Sequence, residues 1–312
     1  MLVTATRHVV NEQSLRPGTP GRNRLRTQES RFAWLMISPS LLVLLLVGTV
    51  PLAALVIMSF TRIDLASTRP NAFIGADNFI RMARDDRFWH ALWVMLVYTV
   101  SSVTLQLVIG LALALALLRP VRGQGALRVA ILLPMILAPV VVGLAWRTLI
   151  LTPDYGIIDF AVQALGFGSQ PWLTDARWAL ISVITIHTWQ WTPFAFLVFT
   201  ATLHALPQEP FEAAMIDGAG AWQRFRDLTL PLLWPTIIVI VIMRTMIALR
   251  AFDAIFSATG GGPGTATEIL NLYAYRVSFT SLTLGYGAAV ATMLLIVTAV
   301  ISVMLFRLQA RD

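Results

Sequence analysis

Glu212-Ala213-Ala214-Met215-Ile216-Asp217-Gly218-Ala219-Gly220, followed by Trp222, Phe225 and Leu230-Pro231, is a polar, helix-forming stretch held between two long apolar runs. The flanking runs, 178–203 and 231–256, are each long enough to cross a hydrocarbon core of roughly 30 Å, which takes about 20 residues of helix. Four more stretches qualify: 32–60, 91–118, 126–151 and 284–308. The expectation is an all-α, polytopic membrane protein with about six transmembrane helices. It has a basic tail over 1–31, a transmembrane domain over 32–308 and a polar inner loop at about 204–230. A polar segment confined between spans needs a reason to be there, and docking onto another protein supplies one.

Composition narrows the function classes. The 312 residues are 57% hydrophobic and 12% charged, about half the charged fraction of a soluble domain. All 23 basic residues are Arg, which excludes a lysine-dependent P-loop and Schiff-base chemistry. With no cysteine, disulfides and thiolate metal sites are excluded too. The histidines, His8, His90, His187 and His204, are too dispersed for a local metal motif. The net charge of +7 gathers beside apolar runs, a distribution that reads as membrane topology rather than nucleic-acid binding.

Arg7, Arg16, Arg22, Arg24, Arg26 and Arg31 alternate with Pro and Gly and show no apolar period, so 1–31 reads as a disordered basic tail on the cytoplasmic side. The first apolar stretch runs on through Pro51 without a cleavage site, as an uncleaved span does. Six spans then put both termini in the cytoplasm. The outer loop 61–90 resists the charge rule with five Arg, but it also carries Asp64, Asp77, Asp85 and Asp86 and has the length of a small amphipathic cap. Pro39, Pro51, Pro134, Pro139, Pro193 and Pro235 interrupt the spans, and lipid tolerates such breaks only where neighbouring helices or water satisfy the freed backbone. In the third outer loop, Gly260-Gly261-Gly262-Pro263-Gly264 has no following lysine and reads as a sharp turn rather than a phosphate cradle. Thr265 with Glu268 fits a capping box opening a short external helix.

In the polar loop, Glu209, Pro210 and Glu212 suit a helix N-terminus, and Gly218 or Gly220 suits its end. A second short helix over 221–228 follows. Phe211, Ala214 and Met215 fall at i, i+3, i+4 and give the first helix an apolar face, which either enters a groove on a partner or lies on the bilayer. Within the spans, Arg244 lies near the midplane, where a charge is a functional candidate by default. Arg250 and Asp253, three residues apart, can pair on one face. His187, Trp189 and Gln190, beside Trp191 and Pro193, combine indole faces with hydrogen-bonding groups, as a sugar site requires. Packing between helices is the competing account of the tryptophans, and an internal clamp that of Arg244.

The loop resembles the EAA element of ABC importer permeases of the carbohydrate type: Glu212-Ala213-Ala214, Asp217-Gly218-Ala219, Gly220, Phe225 and Leu230-Pro231 keep its spacing. Gly75-Ala76-Asp77-Asn78-Phe79, Phe88-Trp89, Leu132-Leu133-Pro134, Phe252-Asp253 and Gly261-Gly262-Pro263 extend the likeness from residue 32 onward. The resemblance implies the type I importer permease fold in a bacterial inner membrane. It implies a pore subunit, not an enzyme, that moves a sugar or related polyol. It also implies a second homologous permease, two ATP-binding subunits that use ATP and Mg, and an extracytoplasmic solute-binding protein. This chain itself would bind no cofactor or metal. Glu212, Ala213, Ala214, Asp217, Gly218, Gly220, Phe225 and Pro231 would couple it to the ATPase, with Glu212 facing a basic residue of that partner and Gly220 permitting the bend. An ion-coupled secondary transporter is the alternative, but only Asp253 offers an intramembrane carboxylate. A membrane enzyme finds no catalytic constellation.

Overall fold

A computed structural model describes residues 21–309. Its contacts divide the chain into two units, one up to Ala54 and the other from Leu55. In the first, the backbone from Gly21 is helical and belongs to α1 (Gly21–Ser59). Residues 21–31, read from sequence as unstructured tail, therefore extend a helix, because propagation adds a hydrogen bond per residue without a new nucleation step. The rest of the tail lies outside the described residues. Trp34, Leu41, Leu44 and Val47 on this helix are exposed, as lipid-solvated side chains are.

The second unit continues with a two-residue pair, β1 (Thr61–Arg62) against β2 (Ala72–Phe73), antiparallel. Then come α2 (Asp77–Ala83), α3 (Asp86–Ala116), α4 (Gln124–Ile136), α5 (Pro139–Ala145), α6 (Ile157–Ala164) and α7 (Ala176–Ala205). After these follow α8 (Glu209–Ile216), α9 (Ala221–Arg224), α10 (Leu230–Ala248), α11 (Asp253–Ala258), α12 (Leu270–Tyr275) and α13 (Leu284–Gln309). Asp85 caps α3 through the Arg87 amide at 3.0 Å, and Asp175 caps α7 through the amides of Arg177 and Trp178. Within residues 61–90, Asn78 donates to the carbonyls of Ser59 and Thr61 and ties α2 to the strand pair.

Among the described residues, four helices are long and apolar enough to cross a membrane: Trp34–Ser59, Asp86–Ala116, Ala221–Ala248 and Leu284–Arg307. The third expected span is broken. Gln124–Ile136 and Pro139–Ile150 meet at 103° and make a fifth crossing if the pair is one span. Leu137 and Ala138 are extended and Pro139 opens α5, since a residue before proline avoids the helical region. Gln190 Nε2 donates to the Leu137 carbonyl at 3.1 Å, which satisfies a group the break sets free. The fourth expected span, α7, has 30 residues, about 45 Å of helix. It misses the apolarity of the others because His187, Thr188, Gln190 and Thr192 lie along it, all buried.

α3 packs chiefly on α7 and α10, and α4 also lies on α7. At the α3–α7 crossing a side chain on Gly110 would stand 2.7 Å from Ala195 Cβ and 3.0 Å from the Phe196 amide. Only hydrogen fits there, the small-residue contact by which membrane helices approach closely. Two apolar clusters fill the unit. One takes Met95 and Tyr98 of α3, Val183 and Ile184 of α7, Leu249, and Tyr286 and Val290 of α13. The other takes Ala114 of α3, Ala195, Phe196 and Phe199 of α7, and Leu233 and Ile240 of α10. Along each of α3, α7 and α10 a polar residue falls between the two clusters: Gln106, His187 and Arg244 in turn.

The loops beyond α10 depart from one expectation. Thr265 and Glu268 form no capping box, although α12 does follow. Glu268 is fully buried and instead accepts both Arg87 Nε and Nη2, at 2.7 and 2.9 Å, and Arg276 Nη1 at 2.6 Å. Arg276 also donates to the Gly260 carbonyl. A buried carboxylate needs cations and donors more than a helix terminus needs a cap. Asp85 accepts from the hydroxyls of Tyr273 and Tyr286. Burial works against its charge, but those two bonds and the backbone donors leave its carboxyl below the usual range.

Candidate functional site

The polar loop 204–230 folds as two helical pieces. α8 opens with Glu209 and Pro210 in its first turn and ends at Asp217. Gly218 then takes a left-handed φ of 80°, its amide donating to the Met215 carbonyl while the Ala219 amide reaches back to Ala214 at 2.8 Å. That 6→1 bond closes the helix. Gly218, not Gly220, thus carries the bend. Gly220 has φ −67° and ψ 165°, an extended geometry open to any residue, and a side chain there would meet nothing closer than Gln223 Oε1 at 3.7 Å. Its amide donates to that oxygen at 2.8 Å. Arg224 Nη1 donates to the Ala219 carbonyl at 2.7 Å and braces the turn.

Glu212, Ala213, Asp217, Gly218, Gly220 and Pro231 are exposed, and Ala214 and Phe225 half-buried. Met215, Ile216 and Trp222 are exposed too, whereas Phe211 is half-buried. The second helical piece is not a separate element. α9 passes through a wide turn, Phe225–Thr229, in which the Leu230 amide bonds to the Phe225 carbonyl, and runs on into α10. Ala221–Ala248 is one helix of 28 residues. The sequence reading split it at Pro231, but that proline lies in the first turn of α10, directly after the widened turn, and the helix continues through it.

Toward its other end, that helix reaches the polar belt. Arg244 is fully buried. Its Nε donates to Gln106 Oε1 at 2.7 Å and its Nη2 lies 3.3 Å from His187 Nε2. The guanidinium sits 4.4 Å from the centroid of the Trp191 ring and 6.0 Å from that of Phe194. Among the described residues no carboxylate pairs with it, and Nη1 has no partner. Ring faces, one amide oxygen and one imidazole nitrogen therefore hold this cation in place of an anion. Guanidinium only donates, so His187 Nε2 accepts and the ring proton is assigned to Nδ1. Tyr98 packs on the same imidazole, ring centroids 5.1 Å apart.

His187 and Gln190 face a cavity of about 300 Å³ with Trp191, Arg250, Phe252 and Asp253, at the small end of the range of roughly 300–1,000 Å³ for small-molecule sites. Four of the six path candidates thus line one space, and Arg244 stands directly behind His187. Trp189 is elsewhere: it packs edge-on against Trp146, centroids 5.5 Å apart, and lines a larger apolar cavity between α3, α4 and α7. Arg250 and Asp253 share the cavity without pairing. α10 ends at Ala248, the chain leaves the helix before α11, and Arg250 Nε donates instead to the Met246 carbonyl at 3.2 Å. Gln106, Tyr98 and Trp191 are the residues that the sequence-derived set omits. A lone Gln inside an apolar span was signal enough for the first. The i, i+4 spacing of His187 and Trp191 was signal enough for the last. Among the described residues no group of three His, Asp or Glu side chains could hold a metal ion.

Residues 106–311 match the family described as binding-protein-dependent transport system inner membrane component. The chain is 35% identical over 254 residues to the trehalose/maltose transport system permease protein MalF of Thermococcus litoralis, covering 81% of this chain and 85% of that protein. It is 35% identical over 278 residues to the sulfoquinovosyl glycerol transport system permease protein SmoG of Agrobacterium fabrum, covering 88% and 89%. In fold it is similar to a chain of a bacterial ABC transporter involved in the import of the acidic polysaccharide alginate. The TM-score is 0.78 at 23% identity, over 92% of this chain and 99% of that one. With a helix running from an exposed polar loop into a polar belt between spans, and with these relatives, the chain belongs to the binding-protein-dependent inner membrane permeases, multi-pass proteins of ABC importers.

Proposed function

We propose that this chain is one of two pore subunits of an importer for a sugar or polyol, driven by ATP that separate subunits hydrolyse with Mg. The observation that carries the proposal is the unbroken helix Ala221–Ala248. Its inner end forms the second half of the exposed loop, and its far end brings Arg244 to the belt and Arg250 to the cavity. A push on the loop therefore reaches the pathway without crossing a hinge. Glu212, Ala213, Ala214, Asp217, Gly218, Gly220, Phe225 and Pro231 form the face that meets the ATPase, with the exposed Met215, Ile216 and Trp222 seating in its groove. His187, Gln190, Trp191, Arg250 and Asp253 line this subunit's share of the path, and a second permease closes it. Trp191 offers a stacking face, and His187 and Gln190 offer hydrogen-bonding groups to hydroxyls.

The named relatives, which carry trehalose, maltose and a sulfoquinovosyl glycerol, support the sugar class. A solved neighbour bound to a periplasmic protein that holds an alginate pentasaccharide supports delivery by a binding protein. α7, its polar residues turned into the protein, brings the spans to six, which puts both termini on one side, and the Arg-rich N-terminal segment makes that side the cytoplasm. ATP-driven closure of the partner subunits moves the loop and shifts the pair of permeases between two packings, which requires ATP to bind one of them better. The test is sugar uptake by the reconstituted assembly, with its binding protein, in liposomes containing ATP. Uptake is expected to need ATP, and Glu212→Ala to lower it at least tenfold while leaving membrane insertion intact. Uptake driven by an ion gradient without the ATP-binding subunits would overturn the proposal.

A further inference from the structure

The loop between the bent pair and α7 carries a helix of reversed polarity. In α6, Ile157, Phe160, Ala161 and Ala164 recur at i, i+3, i+4 and i+7, and all four are exposed. Tyr155 before the helix and Leu165 and Phe167 after it extend the patch, with exposures of 86%, 77% and 64%. Asp159, on the opposite face, is fully buried. Its Oδ2 accepts the Asp154 amide at 2.7 Å, Gln163 Nε2 at 2.8 Å and Ser169 Oγ at 2.8 Å. Its Oδ1 accepts the Gln170 amide at 2.9 Å and Trp172 Nε1 at 2.7 Å. A surface helix in water turns its charged face outward and its apolar face inward. α6 does the reverse: its carboxylate knots the loop to itself, and its apolar face is left uncovered.

We propose that α6 lies in the bilayer interface at the outer end of the bent pair, with Ile157, Phe160, Leu165 and Phe167 in lipid. The patch follows closely on the apolar bent pair. Residues 151–156 alone separate it from Ile150, the end of that pair, where Val140, Val141, Leu144 and Leu149 are likewise exposed, beside an exposed Arg147 of the kind that snorkels to headgroup level near the end of a span. The exposed side chains of the patch carry no charge, and its one polar side-chain group is the Tyr155 hydroxyl, an aromatic with a polar tip of the kind enriched at headgroup level. A protein partner would be met by roughly one hydrogen bond per 100–200 Å², and these side chains offer almost none. Lipid asks for none. The Asp159 knot then carries the anchor to α7, because Trp172 is held both by Asp159 and by Ser182 Oγ, which donates to its carbonyl at 2.9 Å. The membrane surface thereby fixes the outer end of the helix that lines the cavity.

The chain has no cysteine, so a nitroxide can be placed at single sites without removing any. Ile157→Cys, Phe160→Cys and Leu165→Cys would each be labelled in the intact assembly in lipid nanodiscs, with Thr174→Cys as the exposed loop control. Collision rates with oxygen, concentrated in lipid, and with a water-soluble nickel chelate are then compared. Oxygen is expected to exceed the chelate several-fold at 157, 160 and 165, and the order to reverse at 174. Chelate dominance at those three sites would place them in water and overturn the proposal. Exclusion of both reagents would mean that a protein partner covers them, and would overturn it equally. The inference rests on membrane placement and not on the transported solute, so an assembly that fails to take up sugar leaves it intact.

Discussion

Arg244 shows how a single residue separates stability from transport. A buried cation without an anion is expensive, and an apolar side chain of similar volume often replaces a buried charge at no loss. Arg244→Met is therefore expected to unfold within about 1 kcal/mol of the native chain, the main debit being the loss of the donor to Gln106 Oε1. Arg244→Lys keeps the charge but cannot serve Gln106 and His187 together, and is expected to lose about 2 kcal/mol. Thermal unfolding of the purified assembly reads both. Uptake should fall in the Met variant, because no donor then holds the His187 proton on Nδ1, and a Met variant less stable than the Lys variant would refute this account. The glycines of the polar loop divide in the same way. Gly218→Ala forces a side chain into the left-handed region at a cost of roughly 1–2 kcal/mol, whereas Gly220→Ala meets only Gln223 Oε1, at an ordinary contact distance of 3.7 Å, and is expected to leave stability unchanged. If Gly220→Ala still abolishes uptake while the protein unfolds normally, the residue acts through the surface it offers a partner and not through the bend.

At the scale of elements, the consequential feature is continuity through Phe225–Thr229. If force travels from the loop to the belt through helix stiffness, softening that turn should uncouple hydrolysis from movement. Arg226 and Asp227 are exposed, and their pair, at 3.7 Å, contributes little. Replacing both with glycine costs about 1 kcal/mol per residue of helix propensity. The expected outcome is near-normal assembly and ATP hydrolysis with several-fold less solute moved per ATP, measured as the ratio of uptake to phosphate released. An unchanged ratio would mean that the force takes another route. The opposite design appears at the bent pair, where Pro139 breaks a span and Gln190 repairs the break. The same proline, inert in a sequence count of apolar residues, sets one wall of the cavity.

Across the whole second unit, the end opposite the polar loop 204–230 is fastened by Glu268, which joins the start of α3 to α12 and, through Arg276, to the glycine-rich loop. Removing one partner of a buried pair costs about 3–5 kcal/mol when the other is stranded. Here the side chains of Arg87 and Arg276 keep 46% and 30% of their exposure and can rehydrate. Glu268→Ala is therefore expected to lose about 2–3 kcal/mol, seen as a lower unfolding midpoint of the assembly. No change in the midpoint would show that this contact holds nothing together. Glu268→Gln should fall between, since it keeps an acceptor and loses the charge.

The sequence by itself determined the solvent, the fold class, the approximate positions of the long apolar helices and the existence of a polar loop with helix start and stop signals. These follow from local composition and from segment length against bilayer thickness, which need no knowledge of neighbours. Only the tertiary structure decided which polar residues meet. Trp189 and Trp191 are two positions apart, hence about 200° apart around a helix, and packing put the second beside Arg244 and sent the first to another cavity. Gln106 and Arg244 are 138 residues apart, and Glu268 left its predicted cap for two arginines. Such pairings depend on which helix faces which, and no local pattern encodes that: buried polar groups take whatever partner the fold brings within hydrogen-bonding distance.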